Sequence, residues 1–506
     1  MASSAVDRID LTDTKVPIGI PLAAIFVFGV VQLALGTDPL IMALCAISIA
    51  APLLPLHLYG RDLYSMIGIM FSLRYVGVAL IAKTFLGQTL ESHLFDAYTA
   101  FGLTALLMCV ITALLLIARA LDASKVLFDF SMDLPSLRRL ALVCFAIGAP
   151  AEIVAGVGMQ GVGETSSGAI FPLAASIGDL LYLGLIAEAI HGIKKSEGRS
   201  FLGLPLAAMA LFVLMMALAF NRREFFLSSL IGVIATAFIY RALRLRHIVL
   251  GLAFAAFFMS FMTPITLYLR TQREGMDKVQ FMMLAKDTVV RAITEPGYFD
   301  LISETVENSS IADIKSDSLY DYYQNNSNVL NRLSFIALLD SIAYPAKSRN
   351  PIGMEDITHA LGNNAPGFLG FEKTSSLYGM GDWLNWHMDI GHIGQISFLI
   401  FGLPMEGLVS WGIIGFVAYP FIFLLPIVLV SGRISSLRLP LPTSIFIFAS
   451  LQHGLVEATS DGFISMITRG LPVLAVSLLM VQKAMGVGAG AKTKSASGNA
   501  FTTHQT

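Results

Sequence analysis

Two arginines stand side by side in Asn221-Arg222-Arg223-Glu224, a turn of a few residues between two apolar runs. The charge pattern described below puts that turn on the external side, where paired cations oppose the usual insertion bias. A guanidinium stays charged and grips phosphate or carboxylate oxygens through parallel N–H groups. Arg222 and Arg223 therefore fit an anion site. The plainer alternative is that Arg223 pairs with Glu224 and both snorkel to the interface. Arg469 lies about two turns inside an apolar run. Its insertion costs about 2.5–3.5 kcal/mol, so it must face a cavity or a carboxylate. Glu457 and Asp461 are near it in sequence, and an ion pair with Asp461 is the structural alternative. Arg74 is a similar case with fewer polar neighbours. Glu152, Asp179 and Glu188 also fall in apolar runs; scattered as they are, they fit hydrogen bonds between helices better than a proton path.

A second polar group is Trp383, Trp386, His387, Asp389 and His392, which holds two of the three tryptophans. Aromatic rings with convergent polar groups suit sugar binding, and equally an anchor at headgroup depth. His387 and His392 are five apart and Gly391 weakens a helix between them, so the i, i+4 spacing of a helical metal pair is missing. No metal site is expected. An acid–base role for one histidine, His392 first, is compatible with the pattern.

The elements that must position these residues are apolar. The chain has 506 residues, 55% apolar and 13% charged, whereas a soluble globule carries about 25% charged residues. Most of its surface must face lipid. The net charge of −2 gives no field for nucleic acid. Cys45, Cys109 and Cys144 lie in apolar runs and read as packing residues. No cleavable signal peptide is evident, because the first run is long enough to span and a second follows at once.

Runs long enough to cross a bilayer lie near 17–35, 39–56, 63–82, 95–118, 139–157, 169–190, 201–220, 224–240, 248–268, 405–430, 442–459 and 462–482. About twelve transmembrane helices are expected, an all-α polytopic membrane protein. The piece near 394–404 reads as re-entrant or interfacial, leading into the tenth span. With the N-terminus in the cytoplasm, the cytoplasmic segments hold 18 Lys and Arg, against 5 in spans and external turns outside the long loop. That bias sets both termini inside. The expected organisation is a cytoplasmic tail at 1–16, helices one to nine over 17–268, a large external loop at 269–404, helices ten to twelve over 405–482, and a disordered cytoplasmic tail at 483–506. Within the loop, apolar residues at helical spacing predict amphipathic helices over Lys278–Ala292 and Val329–Ile342. The Pro-, Gly- and Asn-rich stretch 345–382 reads as ordered but irregular. No internal repeat is visible, which weakens an inverted-repeat transporter reading.

Three segments carry a resemblance: "NRREFFLSSLIGVI" (221–234), "NRLSFIALLDSI" (331–342) and "GLPMEGLVSWGIIGFVAY" (402–419). Basic residues before a span, an Arg-Leu-Ser piece in the loop, and Glu406 followed by Gly412 and Gly415 resemble the Wzy-type O-antigen and exopolysaccharide polymerases. The likeness covers the whole topology through short motifs. "AYPAKSRNP" (343–351) only partly matches the tryptophan-proline-lysine-proline stretch of many relatives. The resemblance implies a GT-C-like fold and a periplasmic loop. It implies a metal-independent glycosyltransferase at the outer face of the bacterial inner membrane. Its donor would be an undecaprenyl-diphosphate-linked oligosaccharide, with membrane lipids and a chain-length regulator protein as partners and no cofactor. Arg222, Arg223, Arg332 and Arg469 would then cradle the diphosphate, with Arg270 and Arg273 second. Glu406, then His392, would orient or deprotonate the acceptor hydroxyl.

An O-antigen ligase would use a similar scaffold and donor with another acceptor. A flippase or secondary transporter would instead spread its charges along a central path. A lipid-acyl transferase would want a deep histidine, for which His453 near Glu457 is the candidate.

Overall fold

Backbone N–H and C=O groups in lipid must be satisfied within the chain, which leaves the apolar runs little choice but helix. In the computed structural model every regular element among the described residues is helical. The structure describes residues 19–122, 126–158, 170–220, 223–272, 278–314, 322–324, 334–364, 380–388, 401–438 and 440–486. The helices before residue 278 are α1 (Gly19–Leu35), α2 (Pro39–Tyr59), α3 (Leu63–Phe85), α4 (Ala97–Leu121), α5 (Leu134–Gly158), α6 (Ile170–Gly178), α7 (Leu180–Lys195), α8 (Leu204–Ala219), α9 (Arg223–Ile239), α10 (Leu245–Phe257) and α11 (Thr263–Thr271). The loop contributes α12 (Lys278–Thr294), α13 (Tyr298–Ile314), α14 (Phe335–Ala346), α15 (Glu355–Asn364) and α16 (Met380–His387). The chain ends on α17 (Leu403–Ile434), α18 (Pro442–Glu457) and α19 (Ser460–Ala484).

Among the described residues seven stretches are long and apolar enough to cross a membrane: α2, α3, α4, α5, Leu173–Lys195, α17 and α19. The chain is a multi-pass helical membrane protein. The runs expected at 17–35, 201–220 and 224–240 give the shorter apolar helices α1, α8 and α9. The run at 248–268 becomes α10 and α11, joined by a π-turn at Phe258–Met262. The run at 169–190 breaks at Gly178–Asp179. There the two helices α5 and α6 meet closely, since a side chain at Gly178 would come within 2.5 Å of Glu152 Oε2.

The main core runs through α3, α4, α5, α7, α8, α9, α17, α18 and α19, and α14, α15 and α16 join it through Phe335, Leu339, Ala360 and Leu384. In contrast, α11, α12 and α13 form a separate cluster around Ile265, Phe281 and Ile302. The helix expected over Lys278–Ala292 is α12. The stretch 345–382, expected to be irregular, holds α15, whose first turn carries Glu355 and Asp356, charges that favour a helix N-terminus.

Side chains pin the loop elements down. The Asp340 carboxylate on α14 accepts the N–H groups of Phe95 (2.6 Å) and Asp96 (2.9 Å). Lys347 hydrogen-bonds Asp96, which also caps α4 through Thr99; these partners, Lys347 first, hold the Asp96 carboxyl down at about 2. The fully buried Lys83 ammonium donates to Ser92 O (3.0 Å) and Oγ (2.9 Å) and lies 4.0 Å from the centre of the Tyr322 ring. Elsewhere, Arg119 and Asp62 (2.7 Å) join α4 to α3, and Arg138 and Glu188 (2.5 Å) join α5 to α7. Glu188 thus links helices. The three cysteines are unpaired.

Candidate functional site

The polar residues converge where α18 ends and α19 begins. Two of the π-turns carry the intramembrane arginines: Arg74 sits in Leu73–Gly77 of α3, and Arg469 in Met466–Gly470 of α19. A π-turn inserts one residue into a helix and re-aims the side chains around it, and such turns cluster at functional sites. Arg74 pairs with Glu457, the last residue of α18, and lies 5.0 Å from the centre of the Phe335 ring of α14. Glu457 also meets His453 Nδ1 at 3.1 Å. On the other side of the junction, Asn364 of α15 links Asp461 to Arg469. Its Nδ2 donates to Asp461 Oδ1 (2.8 Å), and its carbonyl accepts from Arg469 Nη2 (3.2 Å). Arg469 is exposed and Asp461 half-buried.

Loop helix α15 places one more titratable group here. Asn363 Nδ2 lies 3.2 Å from His359 Nδ1, within hydrogen-bond distance. His359 and Arg469 are the basic groups that bear on the Asp461 carboxylate. The His359 ring stacks on Trp383 (5.6 Å), and Trp383 stacks on His387 (5.9 Å). Trp383 is half-buried and packs against the main core here.

Glu406 is fully buried, and both its oxygens are engaged: Oε2 accepts the Ser460 N–H and Oε1 the Ser460 hydroxyl, each at 2.5 Å. It therefore caps the start of α19, where helix N–H groups lack partners. The helix carrying it is broken. Trp411 and Gly412 leave helical geometry, Gly412 at φ +60°, a conformation that costs glycine nothing. The two limbs fold together so closely that a side chain at Gly415 would lie 2.0 Å from Gly407 O. Asp356 of α15 ties both limbs down, accepting from Ser410 Oγ (2.6 Å) and Tyr419 OH (2.7 Å). Gly402, at φ +67°, lets the chain turn against Val456 O at the tip of α18. The short limb Leu403–Ser410 leads into the span; most of the piece expected at 394–404 lies outside the described residues.

Of the residues expected to form the site, Glu406 and Arg469 come together at this junction. Arg222, Arg273, Arg332 and His392 lie outside the described residues. Arg223 opens α9 and Arg270 lies in α11, with their side chains outside the description. The sequence reading missed His359, Asp356 and Asn364. Asp356, His359 and Asn363 at i, i+3 and i+7 share one helix face, which was the available signal. No family model matches the chain, and no curated protein or solved structure matches it. Fold and site together define a polytopic helical membrane protein with a loop-covered, arginine- and carboxylate-bearing junction.

Proposed function

We propose that the chain is a metal-independent polysaccharide polymerase that joins undecaprenyl-diphosphate-linked oligosaccharide repeat units at the periplasmic face of the bacterial inner membrane. The twelve-span topology, with both termini cytoplasmic, is part of the same reading. The observation that carries it is that two intramembrane arginines, each on a π-turn, meet loop-borne groups at one helix junction: Arg74 the Phe335 ring and Arg469 the Asn364 carbonyl.

The chemistry fits such a site. The acceptor hydroxyl oxygen attacks the anomeric carbon, the bond to the diphosphate breaks, and negative charge grows on the leaving group. Fixed cations placed where that charge develops lower the barrier most. Arg469, exposed beside the junction, takes that role, with Arg74 behind it; Arg222, Arg223 and Arg332 are proposed to complete the cradle, and Arg270 and Arg273 to flank it. The hydroxyl proton needs an acceptor. Glu406 reaches it only if Ser460 swings away, since Ser460 occupies both carboxylate oxygens. Asp461 with His359 offers the same chemistry without that step, and His392 is the remaining candidate.

Gel analysis of surface glycan in a deletion strain tests the reading. Loss of long chains with a single capped repeat retained supports a polymerase. Loss of both points to a ligase or flippase, and unchanged glycan rejects all three.

A further inference from the structure

Away from the α18–α19 junction, an open cleft of about 900 Å³ separates the α1–α2 turn from the segment 91–98 that leads into α4. That volume is in the range of about 300–1,000 Å³ typical of small-molecule sites. Its lining is mixed. Phe95 and Tyr98 present aromatic surface at 51% and 53% exposure. Tyr344 of α14, 55% exposed, stacks on Phe95 with ring centres 5.4 Å apart. Asp38, Glu91 and Asp96 line the same cleft. Asp38 caps α2 through one oxygen and accepts Tyr98 OH at 3.0 Å with the other. Glu91 accepts the Asp38 N–H at 3.1 Å through one oxygen, and its other oxygen, which is buried, has no donor among the described residues.

This chemistry narrows the occupant. Among the described residues, three carboxylates stand against one lysine, Lys347 on Asp96, a balance that repels an anion. The carboxylates do not converge as a cation cage either, because Asp38 and Asp96 each turn an oxygen toward the helix they cap, and no metal-type group of His, Cys, Asp or Glu occurs among the described residues. Exposed aromatic faces with acceptors in the same cleft match a polyhydroxylated ring. Its C–H faces lie on the aromatics, and its hydroxyls donate to the carboxylates.

The cleft is also connected to the junction. Helix α14 gives its Asp340 carboxylate to the Phe95 and Asp96 N–H groups, while Phe335 at its start packs under Arg74. Nine residues of helix separate Phe335 from Tyr344, about 14 Å at 1.5 Å per residue. A chain of a few sugars spans that gap.

We propose that this cleft is a glycan-binding subsite for a neutral or amino-sugar oligosaccharide. The recognition chemistry stands by itself. The assignment of its occupant as the chain being extended rests on the glycosyltransferase reading.

The test uses the full-length protein in lipid nanodiscs and saturation-transfer NMR. The probes are linear tetrasaccharides of glucose, mannose and N-acetylglucosamine, with tetragalacturonate as the acidic counterpart. At least one neutral probe is expected to bind, and tetragalacturonate to bind about tenfold more weakly or not at all. Tyr98→Ala is expected to weaken the neutral probe about tenfold, and Tyr98→Phe, which keeps the ring, by less. Both variants are checked for the parent unfolding midpoint, and Phe95→Leu gives an independent second position. Absence of binding by every neutral probe, equal binding of the acidic one, or indifference to both Tyr98→Ala and Phe95→Leu overturns the subsite. Probe binding in a protein whose deletion leaves surface glycan unchanged removes the polymerase reading and keeps the subsite. Failure of binding with normal polymerisation does the reverse.

Discussion

Replacing Glu457 by glutamine removes the charge paired with Arg74 among the described residues and leaves that guanidinium in a site only 24% exposed. Breaking a buried ion pair from one side costs about 3–5 kcal/mol. Arg74 keeps some solvent contact and the Phe335 ring at 5.0 Å, so screening and the cation–π contact reduce the expected loss to about 2–3 kcal/mol. Arg74→Met should cost a similar amount, because Glu457, 8% exposed, then keeps His453 as its one charged partner among the described residues. The double variant removes both charges and should lie within about 1 kcal/mol of the parent, a coupling well above the roughly 0.5 kcal/mol scatter of independent sites. Equilibrium unfolding by SDS titration in mixed micelles reads these differences. Polymer length in cells separates structure from chemistry: the double variant should recover stability and still fail to make long chains. Additive losses in the double variant would refute the pairing argument, and normal polymer from a stable double variant would remove Arg74 from the site.

Gly415→Ala would put a methyl 2.0 Å from the Gly407 carbonyl oxygen; neither backbone can yield, so little folded protein should be recovered on size-exclusion chromatography, whereas Gly102→Ala, with open space around it, should be neutral or gain up to about 1 kcal/mol. Tyr419→Phe removes one of the two hydroxyl donors to the buried Asp356 carboxylate and should cost about 1.5–3 kcal/mol in SDS unfolding. Asp96 has its folded pKa depressed to about 2 by Lys347 and Thr99, so its contribution is full above its unfolded value of about 3.9 and is lost as the pH falls toward 2. The unfolding midpoint of Asp96→Asn should therefore fall less than the parent's between pH 5 and 2, and parallel curves would argue against that contact. Arg469, exposed, should be replaceable by alanine without loss of stability but with loss of long chains.

The apolar runs made most of the helices legible, because in lipid a long apolar segment has one backbone solution. Breaks within runs were harder to read. Gly178 and Gly412 lie in hydrophobic stretches, and only the close approach of Glu152 and the folding of Gly407 onto Gly415 show why the helix stops there. Glu406, Gly412 and Gly415 were visible as a motif, but their shared task, a folded lead-in capping α19 through Ser460, depends on a partner 54 residues away. Arg74 and Arg469 stood out by insertion cost. That both occupy π-turns was not legible, since a one-residue insertion leaves no compositional mark. The Asp356 and His359 face of α15 was hidden by neighbouring Pro, Gly and Asn residues, which made the whole stretch read as irregular. The Lys83–Tyr322 contact joins positions 239 apart in sequence and has no local signal at all.

Reconstitution puts the polymerase reading to the most direct trial. The purified protein, in vesicles with undecaprenyl-diphosphate-linked repeat units and no added metal, should yield products of two or more repeats and release one lipid diphosphate per bond formed. The Arg469→Ala protein, equally folded, should yield none. A folded parent protein that leaves the donor as single repeats, or an Arg469→Ala protein that extends them at the parent rate, would contradict the account.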